Sequence, residues 1–251
     1  MNWRGALLPI ALISAVQVLA TVQGVESDAL ASPVQIIAAA WGAIVDGSIP
    51  LATVETVLAA LGGLAIGGFA GTGIGIALGL SVVFNRLMMV TIELLRPIPS
   101  VAIIPLFLLI FGLGFKLEIA IVAFSIMWTM LVLVRAAVSA IEPRLLEVAS
   151  VLGLSRAQTI WKVVLPSALP RIFVALRLAA TVSLIVAITV EVAVNPLGLG
   201  YGMMRAQQSL RPELMFAYLF WLILVGWTFN AFLTLLQSFA LSRMQPRGKQ
   251  T

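Results

Sequence analysis

Long apolar runs, punctuated by short polar segments, dominate this chain. Charge-free intervals run from Arg4 to Glu26, Glu55 to Arg86, Arg96 to Lys116, Glu118 to Arg135 and Glu213 to Arg243. A further apolar stretch follows Arg171 and is interrupted by Arg177 and Glu191. A helix that crosses a bilayer needs about 20 mainly apolar residues. The pattern therefore predicts six transmembrane helices, at 5–24, 54–82, 88–111, 118–140, 171–194 and 214–240. The first run is longer than the apolar centre of a secretion signal and lacks an A-x-A site after it, so it reads as a retained span. Residues 33–46 predict a short surface helix, with Pro33 in its first turn and Gly47 at its end. The chain reads as one all-α membrane domain over 1–251, with a first span and outer segment in 1–50 and a core in 51–245.

Two segments carry more than hydrophobicity. Gly63, Gly67, Gly71, Gly75 and Gly79 recur every four residues. At 3.6 residues per turn they form one slowly rotating stripe, along which a neighbouring backbone can approach closely. Static packing and a smooth surface for sliding helices both fit that stripe. The second segment is 147–166. A helix through Glu147, Ala149 and Leu152 meets Gly153, which can take the left-handed conformation that ends it. After Leu154, Ser155 and Gln158 form an S-x-x-Q capping box for a helix that begins at Arg156. Leu165 and Pro166 predict its end. So precise a punctuation suggests a rigid element built to dock a partner.

Composition agrees with the pattern and narrows the chemistry. Hydrophobic residues make up 61% and charged residues 10%, against about 25% charged in an ordinary soluble domain. The chain has neither histidine nor cysteine, which removes thiol nucleophiles, disulfides, Cys/His metal sites and imidazole acid–base chemistry. The net charge of +5 comes from basic residues clustered between spans, as the positive-inside rule requires, and not from a nucleic-acid surface. Arg135, Arg144, Arg156, Lys162, Arg171 and Arg177 crowd one segment and Arg243, Arg247 and Lys249 the tail, whereas 25–53 holds Glu26, Asp28 and Asp46 and no Lys or Arg. Both termini and the 141–170 loop are therefore expected in the cytoplasm, with 25–53, 112–117 and 195–213 outside.

Polar groups inside spans are costly and usually face a cavity or a partner helix. Glu93 and Arg96 stand three residues apart and can pair with each other or line a pathway. Pro97 and Pro99 break helical hydrogen bonds, which is tolerated where backbone lines a cavity; Ser100 follows them. Ser125 and Thr129 share one helix face with Trp128. Glu191 and Asn195 lie near the outer end of the fifth span, as a gate or as an interface marker.

The 147–166 segment resembles the "EAA" loop of binding-protein-dependent ABC permeases: Glu147, Ala149, Gly153, Leu165 and Pro166 match at the right spacing, Val148 replaces an Ala, and Val163 replaces an Ile. Over 50–240 the chain is similar to the nitrate/sulfonate/taurine branch of that family, through Leu95-Arg96-Pro97-Ile98-Pro99-Ser100, Pro105, Phe111-Gly112-Leu113-Gly114, and Glu191 followed by Gly198-Leu199-Gly200. The resemblance implies the type I importer permease fold, with Leu152 to Gln158 as the coupling helix that sits in an ATPase subunit. It implies two ATPase copies that bind ATP and magnesium, a second permease copy as a homodimer, and a soluble periplasmic or lipid-anchored binding protein. It further implies residence in the bacterial inner membrane, import of a small anionic solute, and no cofactor, metal or catalytic residue in this chain.

Two other classes compete. A membrane enzyme would need a nucleophile–base pair or metal ligands, and Glu93 and Glu191 share no motif. A secondary transporter or channel not driven by ATP would show internal repeats or a filter; Gly198-Leu-Gly-Tyr-Gly202 resembles a potassium filter only weakly. The chain lacks a Walker A sequence, so ATP hydrolysis belongs elsewhere. Dependence on a separate ATPase discriminates these classes.

Overall fold

The computed structural model describes residues 31–242, and among these every regular element is helical. The first element, α1 (Pro33–Val45), forms where the sequence places it. Ser32 accepts from the Gln35 N–H while the Gln35 side chain accepts from the Ser32 N–H, closing a capping box ahead of Pro33. Gly47, at φ 83°, turns the chain, and the Asp46 carboxylate accepts from the Ser48 N–H at 2.8 Å. That bond holds the Asp46 carboxyl below its ordinary range.

The long helix α2 (Ser48–Leu80) follows, then α3 (Val82–Leu95), a short 3₁₀ turn (Ser100–Ile103) leading into α4 (Ile104–Phe111), and α5 (Phe115–Ser139). Beyond them come α6 (Pro143–Val151), α7 (Arg156–Thr159), a π-helical turn (Ile160–Val164), α8 (Leu165–Ala193), α9 (Gly198–Gln208) and α10 (Pro212–Ser242). Four helical stretches are long and apolar enough to cross a membrane, or five if α3 and 100–111 count as one span. The expected span at 5–24 lies outside the described residues.

Two expected boundaries change. The third span is not one straight helix: α3 and 100–111 meet at 85°. The helix that starts at Arg156 does not stop near Pro166. It widens into the π turn and runs on through Pro166 and Pro170 to Ala193. A proline in an α-helix interior loses a hydrogen bond and clashes with a carbonyl one turn back. The extra residue in the π turn re-registers the ladder, and Pro166 falls in the first turn of α8, where its missing N–H costs little.

The core forms around α5, against α2 on one side and α8 on the other. Leu117, Ile121, Ile126, Met130 and Val134 of α5 are buried with Ala168, Ala175, Ala179 and Ala187 of α8. The glycine stripe of α2 provides the closest approach. A Cβ on Gly75 would meet the Leu131 carbonyl oxygen at 2.8 Å, and one on Gly67 would overlap that of Ala123. Residue numbers rise together along both partners, so α2 and α5 run parallel. In this structure the stripe is a close-packed contact: glycine Cα atoms face the carbonyls of Ala123, Met127 and Leu131.

Candidate functional site

Where α3 ends, Arg96 keeps helical dihedrals and bonds back to Ile92 at 2.9 Å. Pro97 and Pro99 then supply no N–H, and Pro99 is extended (φ −62°, ψ 133°) before the 3₁₀ turn begins at Ser100. The break opens a cavity of about 340 Å³. Arg96, Ile98 and Ser100 line it from the break, Phe124, Ser125, Trp128 and Thr129 from α5, and Val182 and Val186 from α8.

Four of the side chains singled out in the sequence, Arg96, Ser100, Ser125 and Thr129, thus come together. Pro97 and Pro99 shape the break without lining the cavity, and Glu93 is exposed on α3 outside it. The expected Glu93–Arg96 pair is not formed. The ion pair found among the described residues is Arg211–Glu213 at 3.2 Å.

Arg96 therefore brings an uncompensated cation to a wall of hydroxyl, aromatic and aliphatic side chains. Phe124 stands edge-on to Trp128, with ring centroids 5.8 Å apart, and to Phe107 at 5.9 Å. The Ser125 hydroxyl donates to the Ile121 carbonyl at 3.0 Å and that of Thr129 to Ser125 at 3.3 Å. The Trp128 indole N–H is buried and donates to nothing. A planar guanidinium beside aromatic rings is the chemistry that suits an oxyanion with a small organic body.

Glu191 and Asn195 belong to a different cluster, at the end of the bundle where α8 turns into α9. Glu191 Oε2 accepts from the Gly200 N–H at 2.7 Å. Asn195 donates to Glu118 Oε2 at 2.7 Å and accepts from the Gly114 N–H at 2.9 Å. Glu55 and Thr56 of α2 accept from the Gly198 and Leu199 N–H groups, at 2.8 and 2.9 Å. Gly198 sits at φ 82°, and a side chain there would strike the Glu191 carboxyl. Glu118 was not singled out in the sequence because it reads as the polar start of a span. Its signal is its place in the first turn of a helix that runs from Ile119 to Val134 without another charge.

At the opposite end, the turn and capping box expected within 147–158 both form, although the helix does not end at Pro166. Gly153 (φ 67°) closes α6 with paired bonds from Leu154 N–H to Ala149 and from Gly153 N–H to Ser150, at 3.1 and 3.0 Å. Ser155 and Gln158 form the expected reciprocal box, at 3.3 and 2.9 Å. Ala149 is buried, and Leu165 packs partly against the core, which anchors the turn. Glu147, Arg156 and Gln158 are exposed. So are four apolar side chains: Val148, Leu152 and Trp161 at 54, 69 and 71%, and Val151 at 88%. They make a group of large exposed apolar residues on a capped helix corner.

The model of one protein family, described as "binding-protein-dependent transport system inner membrane component", matches residues 63–246. The chain is 29% identical to the putative aliphatic sulfonates transport permease protein of Bacillus subtilis, over 93% of this chain and 85% of that one. It is 33% identical to the taurine transport system permease protein of Escherichia coli, over 59% of this chain and 54% of the relative. It is 29% identical to a bicarbonate transport system permease protein of Synechococcus elongatus, over 72% and 66%. Among solved structures, the inward-facing MetNI methionine ABC transporter aligns with a TM-score of 0.63 at 20% identity, over 78% of this chain and 97% of that one. An amino acid ABC transporter with histidines aligns at 0.59 and 22%, over 74% and 90%.

Proposed function

Because the chain belongs to the family of binding-protein-dependent transport inner membrane components, and so is the multi-pass permease of an ABC importer whose ATPase is a separate subunit, we propose that it carries a small organic or inorganic oxyanion, with Arg96 as the anion-recognising side chain. The observation that carries this reading is the cavity at the α3 break: one unpaired guanidinium, three hydroxyls, an indole and no carboxylate. The relatives that transport sulfonates, taurine and bicarbonate point the same way.

Alternating access then works as follows. A binding protein delivers the solute at the end that carries α1 and α9, the outer face by the distribution of Lys and Arg. Two copies of this chain enclose the pathway, and each offers its 152–158 corner to one of two ATPase subunits that bind ATP and magnesium. Closure of the ATPases moves the corner, and the uninterrupted helix from Arg156 to Ala193 transmits that motion along its length. Because α8 also lines the cavity, through Val182 and Val186, docking and solute access share one rigid element.

The test of solute class is uptake by proteoliposomes holding the complex purified from native membranes together with its binding protein. ATP-dependent accumulation of labelled ethanesulfonate, and none of labelled ethylammonium, is expected. Equal uptake of the cation, or uptake of either without ATP, would overturn the reading. Docking has its own test. Leu152→Asp puts a charge on the exposed corner without touching the core, and should lower co-purification of the ATPase about tenfold, the equivalent of about 1.4 kcal/mol at an apolar anchor. Undiminished co-purification would remove the corner from the interface.

A further inference from the structure

Glu118, in the first turn of α5, and Glu191, in the last turn of α8, are 0 and 1% exposed, and their carboxyl groups lie within hydrogen-bond reach of each other. Each Oε2 has a donor, from Asn195 and Gly200 respectively. Each Oε1 is buried and has none. Ionised carboxylates only accept hydrogen bonds, so two of them cannot satisfy each other. Two adjacent buried negative charges are, moreover, prohibitively costly without a cation.

The surroundings supply no such cation. From α2 the pair is faced by Glu55, a third acid, and by Thr56. From α9 it is faced by the Gly200 amide, while the Leu199 amide is taken by Thr56. On α5 the nearest basic residue, Lys116, is exposed, and the Arg205 of α9 is exposed as well. Neither Glu118 nor Glu191 forms an ion pair, and among the described residues no three acids are grouped as metal ligands. One proton supplies what is missing: it gives an O–H···O⁻ bond between the two groups and leaves a single negative charge, which the Asn195 and Gly200 donors stabilise.

We propose that Glu118 and Glu191 bind one proton between them, and that this shared proton fastens the start of α5 to the α8–α9 connection. Asn195 joins the same fastening to the Gly112–Gly114 turn through the Gly114 N–H. Loss of the proton would set two like charges against each other and against Glu55, and would part the three segments.

Infrared spectroscopy of the chain in lipid nanodiscs tests this, with Glu118→Gln and Glu191→Gln beside the natural sequence. The natural chain should show a protonated carboxylic acid band at neutral pH that shifts in D₂O. Either glutamine variant should lose it, because the amide N–H takes the place of the proton and the remaining carboxyl ionises. Thermal stability of the natural chain should fall as the pH is raised, while that of both variants stays level over the same range. Absence of the band in the natural chain would overturn the proposal whether or not the variants fold. So would loss of the band in only one variant, which would mark an independent acid, and so would parallel pH profiles for all three proteins.

Discussion

Gly67→Leu is expected to abolish accumulation of folded protein, whereas Gly73→Leu, two turns away on the same helix, should be tolerated. A Cβ on Gly67 would overlap the carbonyl oxygen of Ala123, which belongs to the backbone of α5 and cannot turn aside as a side chain can. Leucine adds three more carbons beyond that clash. Overpacking by a few methylenes costs about 1–3 kcal/mol even where side chains can rearrange. Here the helix axes themselves must separate, breaking the contacts at Gly63, Gly71 and Gly75 as well. A penalty above about 3 kcal/mol removes a large part of the roughly 5–15 kcal/mol that holds a typical fold. Gly73 has nothing within 4 Å of its would-be Cβ, so leucine there should change stability by no more than about 0.5 kcal/mol. The check is the yield of monodisperse protein in mild detergent, with the melting temperature of whatever is recovered. Equal yields of the two variants would mean that the stripe is not the contact that holds α2 to α5.

That pair of outcomes follows from something the sequence displays openly. A four-residue glycine repeat can be read without coordinates, since only the helical period is needed to place it on one face. The capping box at Ser155 and the helix-ending glycines at 47 and 153 are equally local, and each forms where its residues predict. Which glycines have a neighbour is not local. Gly68 and Gly73 belong to the same glycine-rich helix but fall off the four-residue repeat, and a side chain on either would meet nothing.

What the sequence hides depends on how a strained backbone is relieved. Pro97 and Pro99 announce a break, but hydropathy alone cannot distinguish a kinked span from two segments at 85°. Pro166 announces a stop that does not occur, because a π turn absorbs it. Both outcomes depend on packing partners far away in the chain: α5 beneath the break, and the core that buries Val164 and Ala168. Glu118 is hidden for a related reason. A carboxylate at the start of a span reads as an interfacial charge until Asn195, 77 residues later, is seen to bond it.

Arg96→Gln is expected to reduce oxyanion uptake about 100-fold while leaving the chain folded and still associated with its ATPase. The guanidinium lies at the cavity rim, exposed and without a carboxylate partner, so its removal strands no buried charge and creates no void in the core. What is lost is a charge-assisted hydrogen bond to the solute, worth about 1.5–3 kcal/mol each, and a planar guanidinium can make two. Loss of about 2.7 kcal/mol corresponds to the stated factor. Lysine keeps the charge but not the fork, so Arg96→Lys should fall between the two. The effect should appear as a higher solute concentration for half-maximal uptake if Arg96 holds the resting solute, and as a lower maximal rate if it acts only while the solute passes the break. A Gln variant with unaltered uptake would place the recognition elsewhere: in the delivering protein, or in the cavity of about 510 Å³ beside Arg205 and Arg211 at the end of the bundle that carries α1 and α9. Because the break that opens the Arg96 cavity is made by Pro97 and Pro99, uptake by the Gln variant also tells whether that backbone interruption serves the solute or only the packing of α5.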